Sequence, residues 1–228
     1  MFLVTRPCVT STAVPGLPAL KKPVRPTSTP HGVITSMAKV NSLKSTEDES
    51  SEYFINVTSI YIQGTKARFK QSLLSFDNDG VGGTKFSTLD PYTVLHNNIY
   101  KALIHVFVAK AKAMNITRVA PVAPFKVCFK AETVAIDAYG PIVPAIDFVW
   151  HKNSVKWRIY GANSMVKVSK CMWCLGFVDG GKETSTSIVI GGKQMEDYMV
   201  EFDLQSSKLG LSSPLLRIGT SCSTFKGI

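Results

Sequence analysis

The sequence predicts a mainly β domain over residues 51–228 with one main helix, preceded by an irregular arm over residues 1–50. Short runs rich in β-branched and aromatic residues recur along the chain and are separated by turns of Gly, Asn, Asp and Ser. One stretch, near residues 96–114, has apolar residues at helical spacing. The 228 residues, 45% of them apolar, can form one domain with a sizeable core or two small ones.

The first fifty residues differ in composition from the rest of the chain. They hold many Pro, Ser and Thr residues and no sustained periodicity, which predicts a poorly structured arm. A basic tail that binds polysaccharide or nucleic acid is the alternative, since Lys21, Lys22 and Arg25 are scattered through it. Phe2-Leu3-Val4 is too short for the apolar core of a signal peptide. The sequence contains no run of eighteen apolar residues, so no transmembrane helix is predicted.

Strand periodicity begins at Glu52. Tyr53, Ile55 and Val57 alternate with Phe54, Asn56 and Thr58, and Ile60-Tyr61-Ile62 continues the run. Gln63-Gly64 has turn composition, as has Asp77-Asn78-Asp79-Gly80. The second of these turns is similar to a calcium loop, but it lacks the bidentate Glu that such a loop needs. We therefore predict a turn and no metal site.

A loop between a predicted strand and the predicted helix contains Ser87, Thr88, Leu89 and Asp90. Loops at such positions often carry catalytic groups. This one offers little for catalysis, because no histidine or second carboxylate lies beside it in the sequence.

The main helix is predicted to follow from His96 and to end near Asn115. Lys110 and Lys112 lie near its C-terminal end, where the helix dipole favours cations. Together with Lys101 they are expected to form a solvated face. The apolar positions at helical spacing are Ile99, Ala102, Leu103, Val106 and Phe107.

From residue 119 onward the sequence predicts strands and hairpins. Four prolines between residues 121 and 144 disfavour a helix in that region. Strands are predicted at residues 145–150, 155–160, 165–168, 173–178, 187–190, 198–204 and 208–212.

Charge and cysteine content narrow the functional classes. The 26 Lys and Arg residues against 16 Asp and Glu give a net charge of +10, which suggests an acidic partner: nucleic acid, anionic polysaccharide or the acidic cleft of another protein.

Five cysteines permit two bridges and one free thiol. Glycosylation sequons begin at Asn56 and Asn115. Sequons and distant cysteines together favour a secreted protein and speak against a nucleic-acid binder.

No enzyme motif stands out in the sequence. A nucleophile elbow, an HExxH motif and paired catalytic carboxylates are all missing. Cys171-Met-Trp-Cys174 could suggest zinc or redox chemistry, but a second C-x-x-C or a His pair is lacking. We expect one of these two cysteines to form a bridge elsewhere, and we predict no metal and no cofactor.

A series of segments resembles a known family. Val189-Ile190-Gly191 and Phe202-Asp203 match the closing segments of a pepsin-like lobe. The more specific segments are SSEYFINVTSI, GGTKFSTLDPYTVL, IYKA, NITRVAPVAPF, WRIYGANSMV, CLGFVDGG and TSIVIGG. Over about residues 50–225 the chain resembles the carboxyl-terminal lobe of the plant xylanase-inhibitor, basic 7S globulin and extracellular dermal glycoprotein group. The resemblance implies a single lobe of the aspartic protease fold, with no counterpart of the lobe that carries the first catalytic Asp-Thr-Gly.

The resemblance also implies that the lobe is not a peptidase. Ser87 matches the position of the second catalytic aspartate, in Ser87-Thr88-Leu89-Asp90, where the family carries Asp-Thr/Ser-Gly-Thr. Peptide hydrolysis in that family needs two carboxylates that share a proton, and a serine hydroxyl is no substitute. Asp90 is interpreted as a turn residue. A residual aspartic-type endopeptidase is the less favoured alternative.

The function implied by the resemblance is inhibition of a microbial cell-wall glycoside hydrolase, a xylanase or a xyloglucan endoglucanase, in plant defence at the apoplast or cell wall. A cation on a rigid loop can pair with the two acidic residues of such an enzyme. Arg217 lies in the matching late segment. The loop before Gly140, basic in some members, reads Ile-Asp-Ala-Tyr here and departs from that pattern, with Tyr139 as its contact candidate.

Two alternatives to inhibition remain open. One is a storage or peptide-binding protein of the basic 7S globulin type, without inhibitory activity. The other, on net charge alone, is a nucleic-acid binder with strongly salt-dependent retention. Neither nucleic acid nor membrane is the expected partner.

The resemblance finally implies a disulfide pattern. Cys128 and Cys174 are expected to pair, closing a loop of about 45 residues worth roughly 3–4 kcal/mol of stability. Cys171 is then the extra thiol. Cys222 matches a position whose family bridge runs to the missing amino-terminal half, and Cys8 is its remaining candidate partner here.

Overall fold

The computed structural model describes residues 8–11, 34–41, 53–150, 155–203 and 208–223, the first two segments as backbone only. This part of the chain is mainly β with one long helix, as predicted. The helices are α1 (Asn97–Ala113), α2 (Gly161–Ser164) and α3 (Gly192–Met195), with 3-10 turns at Gln71–Leu74, Ala131–Thr133 and Leu215–Ile218. The strands are β1 (Cys8–Ser11), β2 (Ile34–Asn41), β3 (Phe54–Ile55), β4 (Val57–Ile62), β5 (Thr65–Lys66), β6 (Thr84–Phe86), β7 (Thr93–Leu95), β8 (Arg118–Val119), β9 (Cys128–Lys130), β10 (Ile136–Asp137), β11 (Gly140–Pro141), β12 (Ile146–Trp150), β13 (Val155–Ile159), β14 (Met165–Ser169), β15 (Met172–Leu175), β16 (Phe177–Asp179), β17 (Ile188–Ile190), β18 (Met199–Asp203) and β19 (Lys208–Ser212).

The largest sheet has nine strands in the order β1-β18-β19-β2-β3-β6-β17-β7-β16. Strand β17 lies between β6 and β7, parallel to the first, with Ile188 opposite Thr84, and antiparallel to the second, with Ile188 opposite Leu95. The loop of residues 87–92 therefore joins two strands that are separated by a third. We call this arrangement the β17 crossing, and it fixes where the loop lies.

Two strands lie within the arm that the sequence predicts to be irregular. Strand β1 runs parallel to β18, with Cys8 opposite Met199. Strand β2 pairs with β19 on one side and with β3 on the other, where Val40 is opposite Ile55. Partners distant in the chain supply this pairing, so local composition gave no sign of it. The boundary at residue 50 and the loose packing of the arm's other residues stay predictions, because those residues lie outside the described ones.

Two four-stranded sheets complete the lobe, in the orders β13-β12-β4-β5 and β14-β15-β9-β8, together with the ribbon β10-β11. The predicted hairpin of residues 145–160 is confirmed as β12 paired with β13. Across it, Arg158 Nε and Nη2 donate to Asp147 Oδ1 and Oδ2 at 2.7 and 2.8 Å. These hydrogen bonds raise the pKa of Arg158 above its usual range.

Helix α1 matches the predicted helix closely. His96 precedes it, and its Nδ1 accepts from the backbone N–H of Asn98 at 3.1 Å, which satisfies one free donor of the first turn. Ile99, Leu103 and Phe107 are completely buried on one face. That face packs against β4 and joins the main core. No helix of the described chain is long and apolar enough to cross a membrane.

Both predicted turns are confirmed. Gln63 and Gly64 have positive φ values of 45° and 75°, which lets the chain reverse between β4 and β5. Asp77 Oδ1 accepts from the backbone N–H groups of Asp79 and Val81 at 3.0 and 2.8 Å. The carboxylate is therefore engaged with its own turn. Among the described residues, no three His, Cys, Asp or Glu side chains gather as ligands of a metal ion would.

Candidate functional site

The loop held by the β17 crossing is ordered by its own serine. The backbone N–H of Ser87 donates to Ile190 O at 2.9 Å, which ties the loop to β17. Ser87 Oγ accepts from the backbone N–H groups of Leu89 and Asp90 at 3.3 and 3.1 Å. The hydroxyl thus caps a tight turn, and no imidazole or carboxylate that could take its proton appears among its described hydrogen-bond partners.

The opposite side of the loop is fixed by the start of α3. The backbone N–H groups of Gly192 and Lys193 donate to Asp90 O and Pro91 O at 2.8 and 2.9 Å. Gly191 approaches so closely that an added Cβ would lie 2.3 Å from the carbonyl carbon of Tyr92. Only glycine fits at position 191, directly after the end of β17.

A buried glutamine connects this loop to its surroundings. Gln194 is completely buried, and its Oε1 accepts from Thr93 N and Thr93 Oγ1 at 2.9 and 2.7 Å. Its Nε2 donates to Asn163 O and Gly176 O at 3.1 and 2.9 Å. All four hydrogen-bonding positions of the amide are satisfied. The sequence analysis missed this residue, and its one signal is a polar side chain two residues after the Gly191-Gly192 pair.

The exposed tip of the loop offers no catalytic group. Leu89 is 93% exposed, and Thr88 beside it is also exposed. Asp90 is half-buried in the turn, where its backbone takes part in the hydrogen bonds above. The loop therefore presents a small apolar and hydroxyl surface instead of a pair of carboxylates.

A second candidate surface brings together the two residues suggested as inhibitory contacts. The Arg217 guanidinium carbon lies 5.5 Å from the ring centroid of Tyr139. The Tyr139 ring in turn stacks on that of Tyr160, at 5.5 Å and 28° between planes. We call these three side chains the Arg217 surface. Tyr160 was not singled out in the sequence, because its contact with Tyr139 joins distant parts of the chain.

The ribbon β10-β11 holds Tyr139 in place through two close backbone approaches. Gly140 has φ +85°, and an added Cβ would lie 2.8 Å from Ala162. At Gly161 an added Cβ would lie 1.7 Å from Pro141 O. Ala162 N donates to Tyr139 O at 2.9 Å. The ribbon is therefore pressed against α2, and its tip is rigid.

The segment that carries Arg217 is anchored on both sides of it. Leu215 is completely buried, and its backbone N–H donates to Asp197 O at 2.7 Å. The backbone N–H of Cys222 donates to Asp197 Oδ1 at 2.9 Å. Cys222 is disulfide-bonded. The side chain of Cys8 lies outside the described residues, so the Cys8–Cys222 pairing stays a prediction, although β1 places Cys8 opposite Met199, close in sequence to Asp197.

The two arginines near this surface differ in their charge environment. Arg158 is neutralised by Asp147, whereas exposed Arg217 forms no ion pair with a described residue. Tyr198 is buried, and its hydroxyl donates to the backbone carbonyl of Arg158 at 2.6 Å. Burial raises the pKa of Tyr198 above its usual range, so the phenol stays neutral. Arg217 is therefore a cation that forms no ion pair with a described residue and whose guanidinium group lies near the ring of Tyr139.

Comparison with known proteins identifies the family of this lobe. The family described as Xylanase inhibitor C-terminal matches residues 52–213. The chain belongs to this family. Its fold is a single pepsin-like lobe, as the resemblance implied.

Relatives of this xylanase inhibitor C-terminal domain are known as sequences and as structures. "Probable aspartic proteinase GIP2" of Nicotiana benthamiana is 51% identical over 181 residues, which are 79% of this chain and 41% of the relative. "Gamma conglutin 1" of Prunus dulcis is 41% identical, over 78% of this chain and 39% of the relative. The crystal structure of edgp matches with a TM-score of 0.82 at 43% identity, over 87% of this chain and 49% of that chain. Conglutin gamma, a basic 7S globulin from lupine seeds, matches with a TM-score of 0.67 at 30% identity, over 82% of this chain and 43% of that chain. The chain spans about two-fifths of the length of the curated relatives.

The cysteines of the domain agree with the implied pattern. Cys128 and Cys174 form a disulfide between paired strands β9 and β15. Cys171 is exposed and is a free thiol. The C-x-x-C sequence is therefore one bridge cysteine and one free cysteine, as expected.

Both sequons lie at accessible positions of the domain. Asn56 is exposed between β3 and β4, and Thr58 donates from Oγ1 to Val149 O at 3.1 Å. Asn115 is exposed just after α1, with φ 60°. Glycosylation at either asparagine stays a prediction.

Proposed function

We propose that this xylanase inhibitor C-terminal domain is a non-catalytic lobe that inhibits a microbial cell-wall glycoside hydrolase, a xylanase or a xyloglucan endoglucanase. The observation that carries the proposal is the Arg217 surface, an exposed arginine without an ion-pair partner among the described residues and supported by Tyr139. Glycoside hydrolases hold two carboxyl groups in a cleft. An arginine fork can bind such carboxylates through two hydrogen bonds, and exclusion of water strengthens them.

The surroundings of Arg217 suit an inhibitory contact. Ile136 and Ile142, next to the tip of the ribbon, are 63% and 41% exposed. Exposed apolar groups and tyrosines beside an arginine are typical of the energetic centres of protein interfaces. The backbone contacts of Gly140 and Gly161 limit the motion of the tip, so that little conformational entropy is lost on binding.

The absence of peptidase activity is part of the proposal. The family resemblance puts Ser87 where an active lobe carries an aspartate, and the Ser87 hydroxyl accepts hydrogen bonds from two backbone N–H groups. Aspartic proteases use two carboxylates that share one proton, and a single serine in this position cannot take the place of one of them. We expect no cleavage of casein or haemoglobin at any acidic pH, and pepstatin-sensitive cleavage would contradict this.

The proposed location is outside the plant cell, in the apoplast or cell wall, with a role in defence against microbes. The Cys128–Cys174 disulfide is of a kind that forms in oxidising compartments. The two exposed sequons support the same location.

A storage or peptide-binding protein without inhibitory activity is the second candidate. Gamma conglutin 1 of Prunus dulcis and Basic 7S globulin 2 of Glycine max are among the relatives. In addition, the ribbon that is basic in some members carries Asp137 here, whose Oδ1 accepts from Tyr139 N at 2.7 Å. A carboxylate at this position opposes approach to an acidic cleft.

Inhibition assays separate the two candidates. Pure protein is titrated against a fungal xylanase and a xyloglucan endoglucanase, and the inhibition constant is compared for the native chain, Arg217→Ala and Arg217→Lys. We expect Arg217→Ala to raise the constant by about tenfold or more, and Arg217→Lys to recover only part of the loss because lysine lacks the planar fork.

The matched control for this assay is Lys167→Ala. Lys167 is an exposed cation whose Nζ lies 5.7 Å from the ring centroid of Trp173, so the variant removes the same charge from the same kind of contact. It should inhibit like the native chain. Inhibition that survives in Arg217→Ala would exclude this surface, and no inhibition by the native chain would favour the second candidate.

A further inference from the structure

We infer a second binding site, a basic groove between β5 and α1 that takes a carboxylated polysaccharide. The groove has a volume of about 540 Å³. We define the basic groove by its polar lining, which is Thr65, Lys66, Arg68, Asn98, Lys101 and His105. It shares no residue with the Arg217 surface and does not depend on the proposed inhibition.

One wall of the basic groove is the exposed flank of α1. Asn98, Lys101 and His105 recur at spacings of three and four, so they lie along one line of the helix surface. Ile99 and Leu103 are completely buried on the neighbouring face. Because the apolar face of α1 is buried, the rotation of the helix about its axis is fixed. Asn98, Lys101 and His105 therefore face the groove.

The other wall follows the turn after β4. Ala67 is 2% exposed, and its backbone N–H donates to Ile60 O at 2.9 Å. Lys66 and Arg68, on either side of it, are exposed and line the groove. The two walls are joined because Lys70 N donates to Asn98 Oδ1 at 2.9 Å. The groove is thus fixed before any ligand arrives.

Charge in the basic groove is uncompensated. Lys66, Arg68 and Lys101 form no ion pair with a described residue, and none of the described residues that line the groove is acidic. Other lysines of the domain do have partners, for example Lys126 with Asp179 and Lys193 with Glu196. Three cations that converge on one open groove attract a ligand with several negative charges.

The lining favours an anionic sugar chain over nucleic acid. None of the described lining residues is aromatic, so they offer no platform for the base stacking that contributes to single-strand binding. Thr65 and Asn98 can donate to and accept from sugar hydroxyls. Ala102 and Val106 supply a small apolar patch that fits the face of a sugar ring. The cations lie on both walls, with Lys66 and Arg68 on one and Lys101 on the other.

The test compares two sets of three substitutions in the full chain. The groove variant is Lys66→Ala, Arg68→Ala and Lys101→Ala. The control variant is Lys112→Ala, Lys170→Ala and Lys182→Ala, which removes the same charge from exposed positions outside the groove. Binding to polygalacturonate, neutral dextran and oligo-dT is measured at one fixed salt concentration. Melting temperatures confirm that both variants fold.

The groove variant should bind polygalacturonate about tenfold or more weakly, while the control variant stays within about twofold of the native chain. Dextran should not bind to either. Equal losses in the two variants would overturn the proposal, because net charge alone would then explain the attraction. Unchanged binding in the groove variant would also overturn it, as would tighter groove-dependent binding of oligo-dT than of polygalacturonate.

Discussion

At the residue scale, the buried amide of Gln194 determines how the loop of Ser87 is held. Its four hydrogen bonds reach Thr93 at the loop's end, Asn163 in α2 and Gly176 between two strands. None of these partners was singled out in the sequence, and their convergence exists only in three dimensions. A site of this kind is therefore beyond prediction from local periodicity.

Replacing Gln194 with leucine should be strongly destabilising. The substitution leaves two donors of Thr93 and two carbonyl oxygens without partners in a buried site, at a cost of about 3 kcal/mol or more. The melting temperature should fall by about 6–12 °C. Gln71→Leu is the matched control, because Gln71 is exposed and its amide makes one hydrogen bond, to Thr58 O at 2.7 Å. A Gln194 variant as stable as the control would contradict the network.

The carboxylate of Asp179 should make stability depend on pH. Its burial alone would raise its pKa, but hydrogen bonds from Lys126 Nζ at 2.6 Å, Gly181 N at 3.0 Å and Asn97 Nδ2 at 2.8 Å outweigh burial. The pKa is lowered from its ordinary value of 3.8. A lowered pKa gives a contribution that is present above the ordinary value and is lost as pH falls through the folded-state value.

Urea unfolding at several pH values checks this contribution. Asp179→Asn should unfold at lower urea than the native chain at pH 7, and the difference should shrink below about pH 4. Glu183→Gln, which changes an exposed carboxylate, is the control and should unfold at nearly the same urea concentration as the native chain. A difference for Asp179→Asn that did not change between pH 7 and pH 2 would rule out the assignment.

At the scale of elements, the sequence predicted the helix and the hairpin whose contacts are local in the chain. Helix α1 and the β12-β13 hairpin lie where periodicity and turn residues placed them. The predicted single strand at residues 173–178 is instead two strands, because Gly176 donates to Ser164 O at 2.7 Å and the chain changes sheets there. Strand β2 in the arm escaped prediction because its pairing partners lie elsewhere in the chain. Contacts across the fold decide such features.

The Cys128–Cys174 bridge should be a main stabiliser of the sheet that contains β9 and β15. The sequence separation of 46 corresponds to about 4 kcal/mol in the chain-entropy account. Replacing both cysteines with serine should lower the melting temperature by about 10 °C. Cys171→Ser should leave it unchanged, since Cys171 is exposed and free. Equal melting of the double variant and the native chain would show that the bridge adds little.

At the scale of the whole molecule, two strands of the arm belong to the largest sheet. Among the described strands, β2 lies between β19 and β3, so the hairpin β18-β19 is hydrogen-bonded to the rest of that sheet through β2. The family match begins at residue 52 and does not include this strand.

Removing the arm, which holds β1 and β2, should expose three strand edges. A chain of residues 52–228 leaves β18, β19 and β3 each unpaired on one side, and unpaired edges promote association. We expect a melting temperature lower by about 5 °C or more and concentration-dependent association in light scattering. A chain of residues 33–228 keeps β2 and, like the shorter chain, lacks Cys8. Comparing the two truncated chains therefore isolates the effect of β2. Identical behaviour of the two truncated chains would contradict a role for β2.

The β17 crossing has a consequence for how the chain is made. Thr93 and Gln194, which meet in the finished lobe, are 101 residues apart in the sequence. At roughly 5–20 residues per second, a ribosome needs about 5–20 s to add a stretch of about a hundred residues. During that time β6 and β7 have been synthesised while the strand that belongs between them does not yet exist. Strands β6 and β7 therefore cannot reach their final pairing until β17 has been synthesised.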